Sequence, residues 1–122
     1  MPAVGEEFVQ ALGRKDANAL RQLLRPDVDF RAMTPGRFWE ASDADSVVDD
    51  IFLGKWFEPT DDIREVIAVD TATVGKRQRV GYRFLVENPD GPHVVEQQAY
   101  YESDGGRIGW LRVMCAGYQP IT

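Results

Sequence analysis

The prevailing spacing of apolar residues in this chain changes at Pro59, and that change most limits what it can fold into. Before Pro59 they recur at helical intervals, with one short alternating stretch; beyond it they alternate with polar residues. A chain whose period drops from about 3.6 to two must place helices early and strands late, because those are the periods at which each element presents one face.

Val4, Phe8, Ala11 and Leu12 share one helical face, and Leu20, Leu23 and Leu24 do so again after Asp16, whose short carboxylate suits a helix N-cap. Pro26 is expected to stop this second helix. Val28 to Met33 alternates apolar and polar residues like a half-buried strand, closed by a turn at Thr34-Pro35-Gly36. Ser42 with Asp45 resembles a capping box. Val48, Ile51, Phe52 and Trp56 follow on one face of a third helix that closes at Pro59.

Four strand-like segments come next, Ile63 to Val69, Arg79 to Glu87, Val94 to Glu102 and Ile108 to Ala116, rich in Val, Ile, Tyr and Phe. Asn88-Pro89-Asp90-Gly91-Pro92 and Ser103-Asp104-Gly105-Gly106 are short, turn-forming connectors, so consecutive strands are expected to pair antiparallel as a meander. Alternation then assigns faces. Val80, Tyr82, Phe84, Val86, Val95, Gln97, Ala99, Tyr101, Leu111, Val113 and Cys115 point inward, and Arg83, Gln98, Tyr100, Trp110, Arg112 and Met114 point outward.

No repeat or linker interrupts this order, so residues 1–122 are expected to form one domain, large enough to bury roughly two-thirds of its unfolded surface. Hydrophobic residues at 43% and charged residues at 28% are those of a globular protein. A net charge of -6 argues against nucleic acid and against anionic membrane surfaces as partners. No apolar run approaches the ~18 residues of a membrane span, and the first residues carry neither a basic nor an apolar signal region, so the expected location is cytoplasmic. Cys115 is the single cysteine, which agrees with a reducing compartment.

The order helix, helix, strand, helix and four hairpin-linked strands resembles the nuclear transport factor 2-like superfamily, which includes ketosteroid isomerases and SnoaL-like polyketide cyclases. Phe8-Val9-Gln10-Ala11-Leu12, Lys15-Asp16, Leu23-Leu24 and Asp27-Val28 are similar to the opening pattern of that family, and Gly106-Arg107-Ile108 with Leu111-Arg112-Val113 to its final strand. The resemblance implies an α+β fold in which three N-terminal helices pack in a strongly curved antiparallel sheet, forming a cone with a central pocket. It also implies a homodimer joined through the outer face of the sheet, whose aromatic, Met and Arg residues have an interface-like composition.

Position by position, the ketosteroid isomerase groups are missing. The tyrosine of the first helix falls near Phe8, the catalytic aspartate near Ala32 and the buried acid near Ala99, so proton abstraction of that design is not expected. His93, the single histidine, is a weak catalytic candidate, since a hairpin residue is ordinarily an exposed polar one. Phe30, Trp39, Trp56, Tyr82, Gln97, Tyr101, Val113 and Cys115 are the candidate contacts of a small-molecule ligand, an apolar or aromatic metabolite. Against this stands ordinary packing of the aromatic rings, with polar tips bonded to backbone or water. Cys115 reads as a small buried hydrophobe, having no basic neighbour in sequence. Asp43, Asp45, Asp49 and Asp50 suit a helix start more than a metal, and no cofactor motif is present. The expected function is small-molecule binding, with cyclase, isomerase or hydrolase chemistry possible on that fold. The alternative is a non-catalytic association module that dimerises through its sheet.

Overall fold

A computed structural model describes residues 3–121; Met1, Pro2 and Thr122, which belong to the expected 1–122 domain, lie outside the described residues. The chain runs α1 (Val4–Gly13), α2 (Ala17–Leu23), β1 (Leu24–Thr34), β2 (Arg37–Ala41), α3 (Ser46–Trp56), β3 (Asp62–Val74), β4 (Arg77–Asn88), β5 (Gly91–Asp104) and β6 (Arg107–Pro120). The strands form one curved sheet in the order β2-β1-β6-β5-β4-β3, with β1 and β6 parallel and every other pair antiparallel. The expected meander is β3 to β6. The parallel pair is possible because the long connection through β2, α3, β3, β4 and β5 lets β6 return beside β1.

Local chemistry explains most boundaries. Asp16 caps α2 by accepting from the Ala19 N–H, as its position predicts. Three expectations need correction. Helix α2 ends at Leu23, ahead of Pro26, which falls inside β1 where the register with β6 slips between Leu24 and Asp29; a proline is tolerated at such an irregularity because no ladder N–H is required there. The cap of α3 is Asp43, which accepts from the Ser46 N–H at 2.9 Å, and Asp45 makes no capping bond. The five expected strands become six, because residues 37–41 form strand β2, which pairs with β1 from Phe30↔Ala41 to Thr34↔Arg37.

Helix α3 is wound with π-type turns, and its last turn closes with the Phe57 N–H on the Phe52 carbonyl. All eleven residues assigned inward by alternation are buried, and the outward set is exposed or half-buried. The concave face of the sheet therefore wraps Phe8, Leu12, Leu20 and the α3 residues Val48, Phe52 and Trp56.

Candidate functional site

Cross-strand pairing lays the concave face out in rows. One row reads Trp39, Ala32, Val113, Ala99 and Val80 across β2, β1, β6, β5 and β4; the next outward reads Cys115, Gln97 and Tyr82. Exposure is graded across these rows. Leu12, Leu20, Val28 and Phe52 are sealed at the closed end, whereas Ala32, Trp56, Val113 and Cys115 keep 4–8% of their surface, and Trp39 is half-buried. This least sealed part of the concave face, between β2, the end of α3 and the last third of β6, is termed the mouth of the cone.

Aromatic rings line that mouth and fill the space beneath it. Trp56 packs against Phe52, Phe30 and Trp39 with ring centres 5.2, 5.9 and 6.1 Å apart. Deeper, Phe8 meets Phe52 at 5.7 Å and Tyr82 at 6.3 Å, edge on in both cases, the arrangement the ring quadrupoles favour. The deep half of the cone is thus a close-packed core. Of the expected contacts, Trp39, Trp56, Val113, Cys115 and Phe30 gather at or just below the mouth. Tyr82 and Gln97 stand in the adjoining row, and Tyr101 lies apart from the mouth, facing α1.

The polar tips on this wall are bonded within the protein. Tyr82 donates to Gln97 Oε1 at 2.6 Å, and Tyr101 accepts from the Gly5 N–H at 2.9 Å. Gly5 is needed for that approach, since a Cβ there would sit 2.7 Å from the Tyr101 oxygen. Burial pushes the Tyr82 hydroxyl well above its usual range, with Cys115 adding to the effect, and burial likewise raises Tyr101. Both stay protonated at neutral pH and act as neutral hydrogen-bonding groups.

His93 is not an exposed hairpin residue. It is the third residue of β5, pairs with Pro120 and Val86, and keeps 8% of its surface. Its Nδ1 lies 2.9 Å from the Gly91 carbonyl, and its ring meets Tyr118 edge on at 5.8 Å. A carbonyl only accepts, so Nδ1 carries the proton.

Tyr118 is the residue the sequence pattern misses. Gly117 has a φ of +85°, and at this point three steps of β6, Cys115 to Tyr118, span two steps of β5, Gln97 to Val95. The bulge turns Tyr118 back to the concave side, where simple alternation from Cys115 would not put it. Its hydroxyl donates to the Trp56 carbonyl at 2.6 Å; burial and the nearby Asp61 carboxylate hold it protonated. Asp61 is itself buried, accepting from the Glu58 N–H and from Asn88 Nδ2, while Lys15 Nζ donates to the carbonyls of Glu58 and Asp61. This network pins the segment after α3 to the α1–α2 turn.

Phe8, Ala32 and Ala99, the positions matched to the isomerase groups, are all buried and carry no acid or base. Among the described residues no group of three or more His, Cys, Asp and Glu side chains is placed to hold a metal ion. No helix among them is long and apolar enough to cross a membrane.

No protein-family profile matches the chain, and no curated protein is similar to it in sequence. Solved structures are similar in shape. A candidate isomerase from Bacillus subtilis matches with a TM-score of 0.76 at 13% identity, over 92% of this chain and 83% of that one. An NTF2-like protein from Burkholderia thailandensis matches at 0.69 and 16%, over 94% and 92%. An LEH-like epoxide hydrolase from M. tuberculosis matches at 0.65 and 13%, over 92% and 79%. At these identities the likeness establishes the fold and leaves the reaction to the site.

Proposed function

We propose that this chain, a cone of the nuclear transport factor 2-like fold, binds an apolar or aromatic small molecule at the cone mouth, between Trp39 and Trp56. The observation that carries the reading is the graded burial of one uncharged wall. Ala32, Trp39, Trp56, Val113 and Cys115 retain partial exposure side by side, while the rings beneath them are sealed. An apolar surface open at one end and closed by aromatic rings favours a flat, poorly solvated ligand. Residues 1–122 act as one domain in this reading, in the cytoplasm, where an unpaired cysteine is stable.

Binding is the core of the proposal. A cyclisation, isomerisation or hydrolysis on the bound molecule would draw on Tyr118, His93 and Cys115, since the isomerase positions are apolar here. Native mass spectrometry of the protein purified from its own host tests the reading directly: a co-purified ring-bearing molecule supports it. Absence of any bound molecule, together with no binding of small aromatic probes, overturns it.

A second reading concerns assembly and rests on the exposed apolar residues of the sheet, which frame a cleft also lined by Ala32, Trp39 and Val113. On the convex face Phe38, Met33 and Met114 share a row, with Tyr100 beside them, and all four are at least 38% exposed around a cleft of about 570 Å³. Exposed aromatic and Met side chains framed by Arg31 and Arg112 suit a second copy of the chain, joined sheet to sheet as a homodimer.

A further inference from the structure

The two indoles that meet at the cone mouth differ in one respect. Trp39 Nε1 donates to Thr34 Oγ1 at 2.8 Å. Trp56 Nε1 is buried and finds no acceptor among the described residues. An N–H left unpaired in the interior is a net cost to folding, and a phenyl ring would fill the same place without it.

The ring cannot easily turn to relieve that cost. Phe30, Phe52 and Trp39 pack against it, and its own carbonyl is held by the Tyr118 hydroxyl. Trp56 as a residue is 6% exposed, and the half-buried Trp39 indole packs edge on against it from β2, with ring centres 6.1 Å apart. A ligand ring that takes the place of the Trp39 indole therefore packs against the ring that carries the unpaired donor.

The surroundings limit what such a ligand can be. Ala32, Val113 and Cys115 carry no charge, and Tyr82 and Gln97 are bonded to each other. Arg37 stacks on Trp39 at 3.7 Å but is solvent-exposed, so water screens it. An anion at Trp56 would lose its hydration for a single N–H with no buried counter-charge, whereas a neutral oxygen loses far less.

We propose that Trp56 Nε1 is the hydrogen-bond donor of the site, and that the ligand is a neutral ring-bearing molecule whose carbonyl or ether oxygen accepts from it. This rests on the mouth being the binding site, and the test separates the two claims. The probes are 2-acetylnaphthalene, 2-ethylnaphthalene and 2-naphthoate, which share a ring system and differ in the acceptor. Binding is followed by the indole N–H signals of the three tryptophans, assigned by single Trp→Phe variants.

The ketone should bind about tenfold tighter than the hydrocarbon, the worth of one hydrogen bond, and move the Trp56 indole proton downfield. The naphthoate should bind more weakly than the ketone. In Trp56→Phe the ketone and the hydrocarbon should bind alike. Equal binding of the two by the unaltered protein, a naphthoate preference, or a ketone preference that survives Trp56→Phe overturns the donor while leaving the site standing. No binding of any probe at millimolar concentration overturns both. The Trp56 signal is also assigned by elimination from Trp39→Phe and Trp110→Phe, so the indole shift in the unaltered protein stands even if Trp56→Phe folds poorly.

Discussion

The Tyr118 hydroxyl donates to the Trp56 carbonyl across 2.6 Å, tying the last strand to the end of α3 at the rim of the cone. That carbonyl closes a helix end and has no further turn to satisfy it. Replacing Tyr118 with Phe keeps the ring that meets Phe57 and His93 and removes only the donor. The expected cost is about 1 kcal/mol, since the pair is part-buried and water can partly repay the loss. Urea unfolding of Tyr118→Phe measures it; an unchanged midpoint would show that the bond does not hold the rim.

The same hydroxyl sets an alkaline limit. Tyr82, Tyr101 and Tyr118 all have folded-state pKa values raised above the ordinary 10.0, with burial the first cause in each. Between that value and the folded one the native protein holds protons the unfolded chain has released, so stability is intact below about pH 10 and falls as pH rises beyond it. Lys15, lowered by burial, acts in the opposite sense. Unfolding midpoints from about pH 8 to about pH 11 should therefore decline in the unaltered protein and decline less steeply in Tyr118→Phe.

How much of this was legible in the sequence depends on whether a feature is periodic. The inward and outward faces of β4, β5 and β6 follow from alternation alone, because the ladder keeps its register over most of their length. Val113 and Cys115 were reachable for that reason. Tyr118 was not, because one glycine with a positive φ inserts a bulge and reverses the parity after it. Gly117 was the available signal, though an isolated glycine near a strand end equally marks a stop.

Other features escaped for a different reason. Strand β2 is five residues long with four of them charged or aromatic, and its pattern carries no clear period. Asp61 and Lys15 are joined through backbone carbonyls 43 and 46 positions away from Lys15, a contact no local pattern encodes. His93 was expected in solvent because Gly91-Pro92 precedes it, yet β5 begins at Gly91 and carries the histidine into the sheet.

Ala99 tests how far the open part of the cone extends. It is fully buried, between Val80 and Val113 in the row that leads to Trp39. Ala99→Trp should overpack this depth and cost at least about 1–3 kcal/mol, lowering the melting temperature by several degrees. A variant as stable as the parent would show that free space reaches Ala99 and that the site is deeper than the mouth.

Steroid isomerisation by the ketosteroid isomerase design is not expected, because the residues at the matched positions carry no acid or base. Phe8, Ala32 and Ala99 offer neither a proton acceptor nor an oxyanion donor. Incubation with a β,γ-unsaturated ketosteroid should give no double-bond shift above background, read by the absorbance of the conjugated product. A rate that depends on His93 or Tyr118 would show that a different base serves the same chemistry.

The convex face gives the last test, and the structure chooses the residue for it. Trp110 is half-buried beneath two guanidinium groups, Arg77 at 4.0 Å and Arg112 at 4.4 Å from its ring centre, so an acidic replacement there would disturb the fold as well as the surface. Met114 is 53% exposed and pairs with Met33 on β1 and Gln98 on β5, in the middle of the exposed apolar row. A charge at that point must be desolvated if two sheets close over it, and it costs little in a monomer, where it faces water. Met114→Glu should therefore leave thermal stability of the monomer within about 0.5 kcal/mol while weakening self-association at least about tenfold. Sedimentation velocity over a concentration series measures both proteins side by side. If the unaltered chain is monomeric, or if Met114→Glu dimerises with unchanged affinity, the exposed row of Phe38, Met33 and Met114 is not the contact between copies.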